Sequence, residues 1–124
     1  MPVRVLVVED EMLVRVVAAE ALRDAGFEVL EAGDGERALH LCKSAAVDVL
    51  FTDIRLPGGI SGWDVAERCR EKNPRMPVIY ASAIAAMPPR PVPDSTWFQK
   101  PFTGDQVVSV VRTAIDRSPA PSLR

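Results

Sequence analysis

Short apolar runs alternate with segments of helical period along nearly the whole chain, and this alternation restricts the possible folds more than any other feature. "VRVLVV", Val3 to Val8, is an almost continuous β-branched run, as expected of a strand covered on both faces. From Glu11 the apolar residues Val14, Val17, Ala18, Ala21 and Leu22 recur at helical spacing, and "DAGF" places Gly26 where a helix ends. "FEVLEA" is the second strand, and Asp34 caps a helix with Ala38, Leu39 and Cys42 on one face. "VDVLFT" is the third strand. Ser61 or Gly62 opens a third helix that turns Val65, Ala66 and Cys69 inward and ends at Asn73-Pro74. "PVIYAS" and the shorter "STWFQ" are the fourth and fifth strands, and Thr103 caps a last helix running to about Asp116. Strands alternating with helices predict an α/β fold, a doubly wound parallel sheet of five strands covered on both faces.

The fourth unit breaks the rhythm. "MPPRPVPD" holds four of the eleven prolines where a helix is due, and proline inside a helix costs about 3 kcal/mol, so the fourth helix is expected to be short or degenerate. With 124 residues, 48% apolar and 26% charged, the chain suits one domain, expected over residues 1–117 with a frayed tail at 118–124. A net charge of −2 offers no basic field for a phosphate backbone, which argues against direct nucleic-acid binding. No run reaches the ~20 apolar residues of a membrane span, and "VRVLVV" is cut off by "EDE" before it resembles a signal peptide. The cytoplasm is the expected compartment. Cys42 and Cys69 have no metal-site spacing and are expected to be reduced, half-buried thiols.

In parallel sheets of this kind the ligand site lies beyond the carboxyl ends of the strands. Those ends carry Glu9, Asp10 and Glu11, then Asp53, Ser82 and Lys100. Two carboxylates about 4 Å apart repel by ~4 kcal/mol at an effective dielectric of 20. A convergence of Glu9, Asp10 and Asp53 therefore requires a compensating cation, and a hard ion such as Mg²⁺ suits carboxylate and carbonyl oxygens. With the Lys100 ammonium and the Ser82 hydroxyl, the set forms a receptor for a phosphoryl group in which Asp53 is placed as nucleophile. Glu11 reads as a first-turn acid favourable to the helix dipole, and His40 as solvated.

"VLVVEDE", "DVLFTDIRLPG", "VIYASA" and "FQKPF" together resemble the four motifs of the receiver domain of two-component response regulators, in order and across essentially the whole chain. The resemblance implies the flavodoxin-like strand order 2-1-3-4-5. It also implies that Asp53 accepts a phosphoryl group from the phosphohistidine of a histidine kinase or phosphotransfer protein. Mg²⁺ would be held by Asp10, Asp53, the Arg55 backbone carbonyl and Glu9, the last directly or through water. Lys100 would pair with phosphoryl oxygens, Ser82 would be the switch hydroxyl, and Trp97 would stand at the aromatic switch position, with a simple core role as its rival. The Lys100-Pro101 peptide is expected to be cis. Self-phosphorylation and autodephosphorylation are implied rather than turnover of an external substrate.

Several residues depart from that pattern. The loop "IRLPGGISG" is one residue longer than in chemotaxis-type receivers, with Ser61 where an Asp commonly precedes the glycine. Ile84 stands near the expected path of the hydrolytic water and should lengthen the life of the phosphoryl state. Two rivals remain open: a docking module of receiver fold that is never phosphorylated, and an aspartate-nucleophile phosphatase, which would want an acid where Arg55 stands. A flavin-binding protein of this topology would not place "EDEM" against a phosphate. The start at Met1 and the stop soon after the last helix lead us to expect a stand-alone receiver with no output domain, whose downstream partner is not legible. Because the fourth helix is compromised, the symmetric dimer built on the fourth helix, fifth strand and last helix is not expected. Sedimentation of the phosphorylated protein should show no phosphorylation-dependent dimer through that face.

Overall fold

The β-branched runs form strands because Val and Ile pack well on a pleated surface, and here both faces of that surface are covered. The computed structural model describes residues 2–83 and 90–117. Its elements are β1 (Arg4–Val8), α1 (Met12–Asp24), β2 (Glu28–Ala32), α2 (Gly35–Ser44), β3 (Val49–Asp53), α3 (Gly62–Lys72), β4 (Val78–Ser82), β5 (Thr96–Gln99) and α4 (Gly104–Arg117). The five strands are all parallel in the order β2-β1-β3-β4-β5, as expected. The reversal of strand order falls between β1 and β3, where Val8 is level with Thr52.

Alternate residues of each strand feed two cores. Leu6, Val8, Leu50 and Tyr80 pack with Ala38, Trp63, Val65 and Ala66 beneath α2 and α3. Val5, Val7, Phe51 and Ile79 pack with Leu22, Val107 and Val111 beneath α1 and α4. Three helices have side-chain caps. Asp34 accepts from the Arg37 amide at 2.7 Å, Ser61 and Asp64 form a reciprocal capping box, and Thr103 accepts from the Gln106 amide at 3.2 Å.

Four expectations need correction or limit. Glu11 is the N-cap of α1 rather than a first-turn acid, and its side chain makes no cap bond. Val17 is exposed, whereas Ala18 and Leu22 are buried as expected, together with Ala19. Cys42 and Cys69 are not free thiols but a disulfide, with Cα atoms 6.0 Å apart. Helical period assigns each cysteine to an inward face but carries no information on which faces meet, and α2 and α3 lie side by side on one face of the sheet. A link spanning 27 residues removes roughly 3–4 kcal/mol of chain entropy from the unfolded state. Ile84, the first part of the proline-rich stretch and the tail at 118–124 lie outside the described residues.

The described part of the β4–β5 connection, residues 90–95, contains no helix. It is held by side chains instead. Arg90 bonds Asp64 at 3.1 Å and Glu67 at 2.8 Å on α3, Val92 is buried, and the Val92 amide donates to the Tyr80 hydroxyl at 3.0 Å. Among the described residues no helix is long and apolar enough to cross a membrane.

One close approach fixes the end of β3. Gly62 donates its amide to the Ile54 carbonyl at 2.7 Å, and a Cβ added there would lie 2.0 Å from the Asp53 carbonyl oxygen. The backbone would have to give way at the residue that carries the central carboxylate. Gly62→Ala is expected to lower stability by about 3 kcal/mol, at the upper end of overpacking costs, as read from the urea midpoint.

Candidate functional site

The strand register sets the site. Glu9 and Asp10 follow β1, Asp53 ends β3, Ser82 ends β4 and Lys100 follows β5, all on the carboxyl rim. The Glu9 amide donates to the Ala32 carbonyl at 3.0 Å and the Lys100 amide to the Ser82 carbonyl at 2.9 Å, so these two rim residues are tied by backbone to the neighbouring strand. The Lys100-Pro101 peptide is cis, as expected.

Carboxylate oxygens of Glu9, Asp10 and Asp53 all lie within 4.8 Å of one another, the only such acidic cluster among the described residues. Glu9 is buried, Asp53 half-buried and Asp10 exposed, so the cluster opens to solvent on the Asp10 side. The Lys100 ammonium hydrogen-bonds Glu9 Oε1 and donates to Asp53 Oδ2 at 3.1 Å. The remaining carboxylate positions are engaged as well. Glu9 Oε2 accepts from the Glu11 amide at 3.1 Å, and Asp53 Oδ1 from the Ile54 amide at 2.7 Å.

Burial raises the Glu9 carboxyl above its usual value; the Lys100 hydrogen bond works against this and the nearby Asp53 charge adds to it. For Lys100, burial depresses the ammonium, but its bonds to Glu9 and Asp53 prevail and the net shift is upward. Both shifts express one arrangement, in which two acids, Glu9 and Asp53, share one base.

Ser82 is buried at the end of β4, one strand from Asp53. Arg55 is exposed two residues beyond Asp53. Trp97 is not a core residue: it is 41% exposed on edge strand β5. The aromatic that fills the core is Trp63 of α3, which sequence reasoning missed; its ring lies 4.7 Å from that of Tyr80 and 6.0 Å from that of Trp97. Its position at i−3 from Ala66 was the available signal. Arg15 was also missed. Its guanidinium donates to the Glu9 carbonyl at 2.8 Å and pairs with Glu31, fixing the β1 turn from the first helix. His40 is exposed, as expected.

Residues 5–90 match the family described as response regulator receiver domain. The chain is 34% identical over 121 residues to the probable transcriptional regulatory protein TcrX of Mycobacterium tuberculosis, covering 94% of this chain and 51% of that one. It is 30% identical over 121 residues to the transcriptional regulatory protein CusR of Escherichia coli, covering 94% and 53%. It thus spans about half the length of these curated relatives. Among solved structures, a response regulator receiver protein from Sinorhizobium medicae superposes with a TM-score of 0.87 at 37% identity, over 94% of this chain and 96% of that one. The response regulator TrrA from Thermotoga maritima, solved in complex with Mg²⁺-BeF, gives a TM-score of 0.78 at 31% identity over 90% and 98%.

Removing the ammonium leaves the buried Glu9 charge beside Asp53. Lys100→Met is expected to destabilise the metal-free protein by about 3 kcal/mol at neutral pH, the lower end for breaking a buried pair. The folded Glu9 value lies above the ordinary 4.5, so its favourable contribution is fully present below 4.5 and is lost as pH rises through the folded value. The variant's deficit should accordingly shrink as pH falls toward 4.5, as measured by urea unfolding at both ends of that window.

Proposed function

The chain belongs to the receiver domains of two-component response regulators, and from that premise we propose that Asp53 takes up a phosphoryl group from the phosphohistidine of a histidine kinase or phosphotransfer protein. The observation that carries the proposal is the convergence of Glu9, Asp10 and Asp53 within 4.8 Å on a rim where Lys100 already binds two of them. An Asp53 carboxylate oxygen attacks phosphorus, the N–P bond of the donor breaks, and the imidazole departs. Lys100 exchanges carboxylate for phosphoryl oxygens over a short path, since it sits 3.1 Å from Asp53 Oδ2. Ser82 then offers its hydroxyl to the phosphoryl group, and Trp97 serves as the aromatic switch, starting from its outward position.

The acidic cluster also fits a divalent cation. Its donors are hard oxygens, one of them exposed, and Mg²⁺ favours a few carboxylates with retained waters. Asp10, Asp53, Glu9 and the Arg55 carbonyl would hold it, and its presence in the 31% identical Thermotoga structure supports this. When bound, Mg²⁺ neutralises charge on the phosphoryl oxygens.

A protein donor is favoured by the surroundings. Met12, Leu13 and Val16 are exposed on α1, beside the rim, and an apolar cleft of about 410 Å³ runs from Leu13 and Val17 to Lys100 and Phe102. Residues 1–117 act as the receiver unit, in the cytoplasm, without direct contact to nucleic acid or membrane. A phosphatase acting on external esters is disfavoured because Arg55 stands where its second acid would be needed.

Incubation with acetyl phosphate and Mg²⁺ should give a single phosphoryl adduct by intact mass, absent without Mg²⁺ and absent from Asp53→Asn. Mg²⁺ at ten times its Kd should raise unfolding stability by about 1.4 kcal/mol, and Asp10→Asn should abolish most of that gain.

A further inference from the structure

Away from the rim, α2 and α3 enclose a second piece of chemistry that phosphoryl transfer does not use. Cys42 on α2 and Cys69 on α3 are joined, and only Cys42 lines a cleft. Cys69 is fully buried, whereas Cys42 is slightly exposed and lines an open cleft of about 530 Å³ between the helices. The cleft wall carries His40, Lys43, Arg68 and Lys72 against a single acid, Glu71. Lys72 is held there by bonds to the Cys42 and Lys43 carbonyls at 3.0 and 2.9 Å, so one positive charge is fixed at the Cys42 backbone.

We propose that this cleft is a thiol–disulfide exchange site, with Cys42 as the attacked sulfur and a small anionic thiol, of the carboxylated tripeptide class, as co-reactant. A thiolate attacks Cys42 Sγ in line with the Cys42–Cys69 bond. A new S–S bond forms between the incoming sulfur and Cys42, and Cys69 departs with the bonding electron pair and takes a proton from solvent. A second thiol attacks the external sulfur of the mixed disulfide, releasing Cys42 as a thiol and the two small thiols as one disulfide. Two external thiols are oxidised and one protein disulfide is reduced. The reaction is asymmetric because Cys42 and not Cys69 lines the cleft, and selective because the wall of the cleft is basic.

The exchange acts on more than the cross-link. Helix α3 also carries Trp63 against Tyr80, and Asp64 and Glu67 against Arg90. Releasing α3 from α2 therefore loosens the anchor of the β4–β5 connection, in a manner independent of the reading of Asp53.

The test uses the whole chain under native conditions, with glutathione as the anionic probe and β-mercaptoethanol as the neutral one. After air oxidation the parent should carry the disulfide and lose it to glutathione without denaturant, as followed by alkylation and mass. Lys43→Gln with Arg68→Gln should slow glutathione about three- to tenfold at low ionic strength and leave the neutral thiol unchanged. Glutathione disulfide should modify Cys42 in Cys69→Ser at least about tenfold faster than Cys69 in Cys42→Ser, with folding of both variants checked by circular dichroism. Free thiols after air oxidation, reduction only at the rate of global unfolding, or equal modification of the two cysteines would each overturn the proposal. The parent kinetics and the charge variants decide the question even if a serine variant fails to fold.

Discussion

The Lys100 ammonium lies between Glu9 and Asp53 and joins the ends of three strands that are distant in sequence. Without a positive charge, the sheet would bring acids together at a cost that folding alone could not justify, since like charges at this separation repel by several kcal/mol in a partly buried setting. The rest of the rim follows from this pairing. The Lys100 amide binds the end of β4, Arg15 holds the Glu9 carbonyl from the first helix, and Gly62 lets α3 approach the Asp53 backbone. A single base therefore maintains an acidic pocket at the meeting of three strand ends.

The two faces of the sheet divide the work. Beneath α1 and α4 the core is aliphatic and phenylalanine-rich, with Phe51, Phe98 and Phe102 in mutual contact. Beneath α2 and α3 it contains the disulfide, Trp63 and the Tyr80 hydroxyl, so polar and covalent links supplement packing. The described part of the proline-rich connection contributes Val92 to this second side. Prolines cannot continue a ladder or a helix, and the described part, residues 90–95, is secured by side chains from α3 and β4 instead.

Much of this was legible from sequence. Each strand run was long enough and β-branched enough to be placed within a residue or two, and the helix starts were marked by Asp34, Ser61 and Thr103. The rim residues followed from topology, because whatever stands just past a parallel strand must face the carboxyl edge. What failed shares one physical cause. Period states which face of a helix is inward but not what it meets, so the junction of Cys42 with Cys69, the outward turn of Val17 and the inward Trp63 had to come from packing. Trp97 shows the same limit on a strand, because alternation on an edge does not tell which side has a helix to cover it.

The tryptophan arrangement carries an optical consequence. The chain has two tryptophans, Trp63 and Trp97, and their rings are 6.0 Å apart with Tyr80 4.7 Å from the first. Their emission therefore comes from one place, beside β4 and at the root of the connection that leaves Ser82. Trp63 is enclosed and Trp97 faces water, so the pair combines an environment-insensitive emitter with a solvent-sensitive one. A rearrangement of that corner of the molecule would change colour and quenching without any attached dye, while events confined to α1 or to the far edge at β2 would leave the signal dark.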